Sequence, residues 1–359
     1  MNINRRNFLK TSLIGGVGLS FINPSNLVAS PASGHLISPN KTLSRLTSAN
    51  ETLSKVSLTT GDNRADLVFR ALQPFAEQIK REIGNRRVIL KPNNVIIHRQ
   101  LAATHVDTLE GVLEFLKSIG ITQNIVIAES AANGPTLDGF DNYGYMRLTA
   151  KYPVQLVDLD SQPVEKLYVA DEKDFRPHAV RFSSLLLDKN AYIVSVARMK
   201  THDRVVATLS LKNIVVGAPV KDLGFAWGAA RKPGTTNDKP IVHGSGSKGI
   251  NYNLFALSQI LHPHLAIVDG FEGMEGNGPN DGDPVDHRVC VAGLDWLATD
   301  RTCVELMGID FSKVAYLNYC AQAGLGVADL DKIEVIGEPL SKHIKAYKLN
   351  DNIEKQIIT

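Results

Sequence analysis

Residues 191–219 read AYIVSVARMKTHDRVVATLSLKNIVVGAP, and the rest of the chain is interpreted outward from this stretch. Its first part, Ala191 to Val196, is an apolar run with the length and composition of a buried strand. Two polar groups follow it, Lys200-Thr201-His202-Asp203 and Ser210-Leu211-Lys212-Asn213. Lysine is almost never fully buried without a partner, so two lysines beside core structure predict a bound anion or an open cleft.

The composition is that of a folded protein and argues against several classes of function. The chain has 359 residues, of which 43% are hydrophobic and 21% charged, so a packed core is expected and wholesale disorder is not. A net charge of +2 lacks the basic excess of a nucleic-acid-binding protein. The cysteines, Cys290, Cys303 and Cys320, are widely spaced, so this chain alone predicts neither a structural zinc site nor an iron–sulfur cluster. We favour three buried core cysteines, and a single disulfide in an oxidising compartment is the alternative.

Residues 1–32 have the pattern of an export signal. Asn4-Arg5-Arg6-Asn7-Phe8-Leu9-Lys10 matches the twin-arginine signal, and the apolar segment after it is too short to span a bilayer. We therefore expect a partnership with the twin-arginine export machinery and a periplasmic or extracytoplasmic mature protein without a membrane span. This route is typical of proteins that fold before export, often with a cofactor, which leaves a cofactor or an exported redox partner open. Residues 33–56 are rich in Ser, Thr, Asn and Pro and are predicted to form a linker.

Residues 57–340 alternate between strand and helix patterns, which predicts an α/β fold. We expect a mixed or mostly parallel sheet flanked by helices, with the middle segments either in the same body or forming a second lobe around a polar cleft. Residues 341–359 are expected to be a C-terminal tail. The predicted strands are Arg87–Lys91, Asn124–Ala128, Val154–Asp158, Ala191–Val196, Leu265–Val268, Arg288–Ala292 and Lys332–Ile336.

Polar side chains follow the predicted strands at their carboxyl ends. Lys91-Pro92-Asn93 ends one strand and Glu129-Ser130 ends the next. Ligands of open α/β sheets gather at this edge, so these residues are candidates for a cleft. Lys91 and Glu129 fit a structural ion pair between neighbouring strands as well as they fit a functional role, and the sequence leaves both open.

A glycine- and serine-rich segment, His243–Gly249, precedes a predicted helix that begins at Asn253. Backbone N–H groups at a helix N-terminus attract anions, which makes this segment a candidate anion site. A flexible surface loop is the equally weighted alternative. The segment is not a Walker motif, because the spacing differs and no strand precedes it.

Carboxylates and glycines are concentrated from Asp269 to Asp283. Oxygen ligands of this kind suit a hard divalent cation, and we expect Asp269 and Glu272, joined by His243, to hold one. The spacing does not match an EF-hand. The structural alternative is an acidic solvated turn.

Taken together, these pieces resemble the bacterial and archaeal Domain of Unknown Function 362 family over roughly residues 86 to 338. The resemblance implies little about activity, because the family name records that no chemistry has been assigned. Members often carry a ferredoxin-type module, which this chain lacks, so a separate redox partner stays open. The matching pieces are Lys91-Pro92-Asn93, Lys200-Thr201-His202, Leu211-Lys212-Asn213, Gly217, His243, Val268-Asp269-Gly270, Met274, Gly276, Gly278-Pro279, Ala292-Gly293, Asp300, Gly324-Leu325-Gly326 and Asp329.

We expect one cleft to gather these polar residues. In the first hypothesis the protein is an enzyme. Its ligand is an anion such as a carboxylate or phosphate held by Lys200 and Lys212, and His202 acts as the general acid or base. A divalent metal would serve as a Lewis acid. In the second, it is a non-catalytic metal- or ligand-binding or assembly protein that acts with an exported redox partner, and a third, weaker hypothesis is a structural envelope protein. The candidate residues are His202 and Lys200 for catalysis, Lys91, Asn93, Lys212, Asn213 and His243 for ligand binding, and Asp269 and Glu272 for a metal.

Overall fold

The computed structural model describes residues 53–227 and 231–355, and within them strands alternate with helices as expected. The strands are β1 (Ser54–Thr60), β2 (Arg87–Pro92), β3 (Ile125–Glu129), β4 (Val154–Asp158), β5 (Val164–Ala170), β6 (Pro177–Ser183), β7 (Ala191–His202), β8 (Val206–Thr208), β9 (Leu265–Glu275), β10 (Asp283–Gly293) and β11 (Ile333–Gly337). The α-helices are α1 (Arg64–Leu72), α2 (Ala76–Ile83), α3 (Val106–Ser118), α4 (Thr136–Asn142), α5 (Met146–Lys151), α6 (Ser184–Leu187), α7 (Ser210–Gly217), α8 (Lys239–Val242), α9 (Ser247–Ser258), α10 (Trp296–Leu306) and α11 (Ala315–Gln322).

Nine of the described strands form one mixed sheet, which confirms the α/β prediction. The order is β11-β1-β10-β9-β7-β2-β3-β4, and β8 pairs with β7 outside this path. The run from β9 through β7, β2 and β3 to β4 is parallel, whereas β10 is antiparallel to both of its neighbours. β5 and β6 form a separate two-stranded antiparallel hairpin.

The central strand β7 shows why the sheet lies in the middle of the fold. All twelve of its residues are buried, as expected for a strand with helices on both faces. Because side chains alternate along a strand, Tyr192, Val194 and Val196 join one hydrophobic core, and Ile193 and Ala197 join the other. Helices α1–α5 contribute to the first core, and α7, α9, α10 and α11 contribute to the second.

The periodicity from Leu67 to Ile79 predicts one helix, but the structure has two. Pro74 lies in a 3₁₀ turn, Gln73–Phe75, between α1 and α2. Proline lacks the backbone N–H of a helix interior and its ring crowds the preceding turn, so the α-helical pattern is interrupted here.

Two polar segments that we expected to follow strands are parts of those strands. β7 runs through Lys200-Thr201-His202, and it pairs there with β8. Likewise β9 runs past Asp269 to Glu275 and pairs with β10, so these carboxylates lie on a strand and not in a loop. In both cases a neighbouring strand supplies the backbone hydrogen bonds, which polar composition alone does not reveal.

The structure describes the C-terminal part of the chain to residue 355, but it does not describe residues 1–52. The predicted signal peptide, residues 1–32, lies outside the described residues, and export stays a prediction. β1 begins at Ser54, inside the segment 33–56 that we assigned to a linker. In the tail, Tyr347 is buried and its hydroxyl lies 3.0 Å from Nδ1 of His287. Among the described helices, none combines the length and apolarity needed to cross a membrane.

The three cysteines are buried and free, as we favoured from the sequence. Burial raises the pKa of each of the thiols of Cys290, Cys303 and Cys320. A protonated, enclosed thiol is a weak nucleophile, so these residues act as small core side chains.

Candidate functional site

A cavity of about 100 Å³, whose lining residues are mostly polar or charged, lies where β2, β3 and β7 end. These strands are adjacent and parallel, so their carboxyl ends meet at one edge of the sheet, as the sequence analysis anticipated. The cavity brings together six predicted site residues: Lys91, Asn93, His202, Lys212, Asn213 and His243. Its other lining residues are Asn94, Val95, Glu129, Ser130, Ala132, Thr208, Val216, Gly217, Lys239 and Pro279.

Lys91 and Glu129 form a buried ion pair between β2 and β3. Nζ of Lys91 lies 2.9 and 2.8 Å from the two carboxylate oxygens of Glu129. It also donates to the carbonyl of Pro92 at 2.9 Å and to Oδ1 of Asn213 at 3.3 Å. Burial lowers the pKa of Lys91 and raises that of Glu129, and the attraction between the two charges opposes both shifts. With all its N–H groups used, Lys91 has none to offer a ligand.

Asn213 and Asn93 connect the pieces of this wall. The Asn213 amide donates to the carbonyl of Lys91 and to Oγ of Ser195, both at 3.0 Å. Its oxygen accepts from Asn93 at 3.3 Å. Both asparagines are buried, and these bonds fix α7 to the end of β2 and to Ser195 within β7.

Lys200 lies beside the cavity and contacts two of its lining residues, Asn93 and Pro279. Its Nζ donates to Oδ1 of Asn93 at 2.7 Å, to the carbonyl of Ala102 at 3.0 Å and to that of Pro279 at 3.4 Å. Burial, with the charge of Lys212 second, lowers the pKa of Lys200 well below its usual value. Three acceptors satisfy the three N–H donors of Nζ, so Lys200 has no free N–H group for a substrate. Its contacts fit a role in positioning Asn93 and do not fit a catalytic role.

Lys212 differs from the other lysines of the cavity. It lies in the first turn of α7 and is only 7% exposed, yet its Nζ has no hydrogen-bond or ion-pair partner among residues 53–227 and 231–355. Burial lowers the pKa of Lys212 to about 8. The charge of Asp203 opposes this shift, but the described chain shows no hydrogen bond or ion pair between that carboxylate and Lys212, so this largely buried ammonium group has no acceptor.

His202 lies at the end of β7 and is 3% exposed. Its Nδ1 accepts a hydrogen bond from the backbone N–H of Arg204 at 3.0 Å, and Oδ1 of Asp203 is 3.0 Å from the same nitrogen. Burial, with the charge of Lys212 second, lowers the pKa of His202 to about 3. The ring is therefore neutral near physiological pH, and Nε2 is its nitrogen without a partner in the described chain.

His243 follows the short helix α8 and directs Nδ1 at the carbonyl of Lys239, 3.0 Å away. Burial, with the charge of Lys212 second, lowers the pKa of His243 to about 4. The sequence stretch His243–Gly249 thus contributes its histidine to the cavity. The adjoining N-terminus of α9 does not serve as the predicted anion site, because Oε2 of Glu172 already accepts from the N–H of Gly249 at 2.7 Å.

The structure adds cavity residues that sequence reasoning missed. Lys239 is buried, and its Nζ donates to the carbonyls of Gly217 and Pro219 at 3.0 and 2.7 Å. Burial lowers the pKa of Lys239 to about 7. Its four-residue spacing from His243 was the available signal, since that spacing places both on one face of a helix. Two more groups in the wall, Oγ1 of Thr208 and the side-chain amide of Asn94, are buried without partners in the described residues.

Asp300 positions α7 from the neighbouring helix α10. Its carboxylate accepts from the backbone N–H of Ser210 at 2.8 Å and from that of Leu211 at 3.1 Å. These are N–H groups of the first turn, which have no intrahelical acceptors, so Asp300 caps the helix that carries Lys212 and Asn213.

The two predicted metal ligands do not line the cavity. Asp269 is buried and lies 3.3 Å from Nε of Arg64, and it accepts from Oγ1 of Thr108 at 2.6 Å. Glu272 pairs with Arg198 at 2.7 Å. Within the described residues, no group of three or more His, Cys, Asp or Glu side chains could hold a metal. Here arginine and threonine satisfy the carboxylates.

The family profile of a domain of unknown function, DUF362, matches residues 88–305. The match covers more than half of the chain and contains every lining residue of the cavity, so the chain belongs to this family. A thylakoid-associated protein of Synechocystis sp. is 24% identical over 243 residues, which are 67% of this chain and 68% of that protein.

Among solved structures, a crystal structure of a protein from Thermotoga maritima is similar at 10% identity with a TM-score of 0.37. The comparison covers 74% of this chain and 60% of the other, so this chain spans less than two thirds of that protein's length.

Proposed function

We propose that the cavity at the ends of β2, β3 and β7 binds a small anionic molecule, such as a carboxylate or a phosphate. The observation that carries the proposal is Lys212, a buried ammonium group that lines the cavity and has no partner in the described chain. Leaving a buried charge unpaired is costly, and a bound anion removes that cost.

The charges around the cavity favour the same sign of ligand. Lys91 is neutralised by Glu129, whereas Lys200 and Lys239 are bonded only to neutral oxygen atoms. Together with Lys212, these lysines give the cavity and its surroundings an excess of positive charge when they are protonated, and the charge of nearby Asp203 partly offsets that of Lys212. In a poorly hydrated site such an excess attracts an anion more strongly than it would in water.

The volume of the cavity favours a small ligand. The cavity has a volume of about 100 Å³. We therefore propose an oxyanion or a short carboxylic acid as the ligand.

His202 supports binding better than proton transfer. A general acid or base works best with a pKa near the operating pH, and burial places the pKa of His202 at about 3. Because Nδ1 accepts from the backbone N–H of Arg204, neutral His202 carries its proton on Nε2. We therefore propose that Nε2–H of His202 donates to the anion, and that Lys212 supplies the charge.

Calorimetric titration of the protein with phosphate, sulfate, acetate and glycolate tests the proposal. We expect at least one anion to bind, and Lys212→Met to weaken that binding by about tenfold or more, as loss of a charged hydrogen-bond donor implies. Lys189→Met is the matched control, because Lys189 is exposed just before β7, at the opposite end of that strand. Equal binding to wild type and Lys212→Met, or none by wild type to any of the four anions, contradicts the proposal.

A further inference from the structure

The hydrogen bond made by His243 fixes which of its ring nitrogens carries the proton. Nδ1 lies 3.0 Å from the carbonyl oxygen of Lys239, and a carbonyl oxygen can only accept. Nδ1 must therefore carry the proton in this contact. In the neutral ring Nε2 then has a lone pair and no proton, which makes it a hydrogen-bond acceptor.

This acceptor is available to a ligand. His243 lines the cavity, and its Nε2 has no hydrogen-bond partner in the described chain. Burial and the positive charge of Lys212 both hold the pKa of the ring down, to about 4, so the ring resists becoming a donor. The same cavity thus presents a cationic donor, Lys212, and a neutral acceptor, His243.

We infer that the ligand is an anion that also carries a hydroxyl group, whose proton is donated to Nε2 of His243 while Lys212 contacts the negatively charged oxygen. This inference rests on the proposed anion-binding function and narrows its ligand class. In an anion without an O–H group, oxygen lone pairs would face the lone pair of Nε2 and repel it. The buried acceptor would then have no hydrogen-bond donor, which weakens binding.

Two pairs of ligands isolate this requirement. Hydrogen phosphate and sulfate are tetrahedral dianions of similar size, but only hydrogen phosphate has an O–H group. Glycolate and acetate are small monocarboxylates, and only glycolate has a hydroxyl group. In at least one pair, we expect the hydroxyl-bearing member to bind the full-length protein about tenfold tighter or more at neutral pH.

His243 is then changed in two ways and all four anions are titrated again. His243→Phe removes the acceptor and is expected to weaken binding of the hydroxyl-bearing anion. In the pair that the wild type distinguishes, the two dissociation constants should then differ by no more than about twofold. His243→Gln keeps an acceptor oxygen near the position of Nε2 and is expected to retain part of the preference. Thermal unfolding of both variants, with His98→Phe at an exposed position as control, establishes that the fold is intact.

The outcomes separate this inference from the function on which it rests. Binding that depends on Lys212 but is equal within both pairs overturns the hydroxyl requirement and leaves the anion site standing. A preference that survives in His243→Phe overturns the role of His243. Absence of any Lys212-dependent binding overturns the anion site and this inference together.

Discussion

The ammonium group of Lys212 lies where the described chain offers it no hydrogen-bond acceptor. Because the charge of this group depends on its protonation, we expect anion binding to depend on pH. Burial lowers the pKa of the free side chain to about 8, and a bound anion raises it again. Affinity is therefore fully present below about pH 8 and is lost as the pH rises through the interval between the free and bound pKa values. We expect the dissociation constant to rise by up to about tenfold per pH unit across that interval.

Calorimetry between about pH 7 and about pH 10 measures this loss. Lys212→Arg is the matched variant, because arginine stays protonated throughout the range. If Lys212→Arg still binds the anion, its affinity should change little over the pH range in which the affinity of the wild type falls. A wild-type affinity that is constant up to the upper limit would show that Lys212 does not supply the charge.

The sequence at single positions predicted the identity of the cavity residues better than their roles. Strand ends, polar residues beside core structure and a glycine-rich segment together predict one cleft. Six of the predicted residues do share one cavity: Lys91, Asn93, His202, Lys212, Asn213 and His243. Which lysine lacks a partner could not be read from the sequence. That difference depends on residues such as Glu129, 38 positions from Lys91, and on backbone carbonyls that carry no residue-type signal.

At the scale of elements, helix α7 holds the site together. Asp300 caps its N-terminus, Lys212 and Asn213 lie in its first turns, and Gly217 ends it. A Cβ atom at Gly217 would lie 2.1 Å from Cε and 2.3 Å from Nζ of Lys91. The glycine is therefore required by the close approach of the buried lysine and not by its own backbone angles.

Gly217→Ala is expected to displace Lys91 from Glu129 and to lower the free energy of unfolding by about 2 kcal/mol or more. Chemical denaturation of the full-length protein measures the change. The same substitution in a Lys91→Ala background is the control, since the shortened side chain removes the clash. A cost of Gly217→Ala that is equal in both backgrounds would contradict the assigned contact.

Element types were more predictable than their limits. Apolar runs predict the central strands, but the prediction ends these strands before the polar parts of β7 and β9, because the strands that pair with those parts lie elsewhere in the chain. The acidic stretch after Asp269 suggested a cation site for the same reason. The two predicted ligands, Asp269 and Glu272, pair with Arg64 and Arg198, and tertiary pairing of that kind has no local signature.

For the molecule as a whole, the Lys91–Glu129 pair ties two central strands together across the edge where the cavity forms. Both side chains are at most 2% exposed, so each charge depends on the other for its solvation. Removing one partner of such a pair leaves the other charge buried and unpaired, which typically lowers the free energy of unfolding by about 3–5 kcal/mol. Replacing both partners with apolar groups of similar size often changes that free energy little. We expect Lys91→Met and Glu129→Leu singly to destabilise the protein by about this amount.

The double variant Lys91→Met with Glu129→Leu then decides between the two roles that the sequence left open. If the pair is structural, the double variant regains most of the free energy of unfolding and still binds the anion that the wild type binds, because Lys212 is unchanged. Denaturation and calorimetry on the same preparations measure both quantities. If the double variant instead regains its stability but no longer binds the anion, the pair belongs to the ligand site. The fold of that variant would be intact, so the loss of binding would come from the missing contacts of Lys91 and Glu129 with the anion.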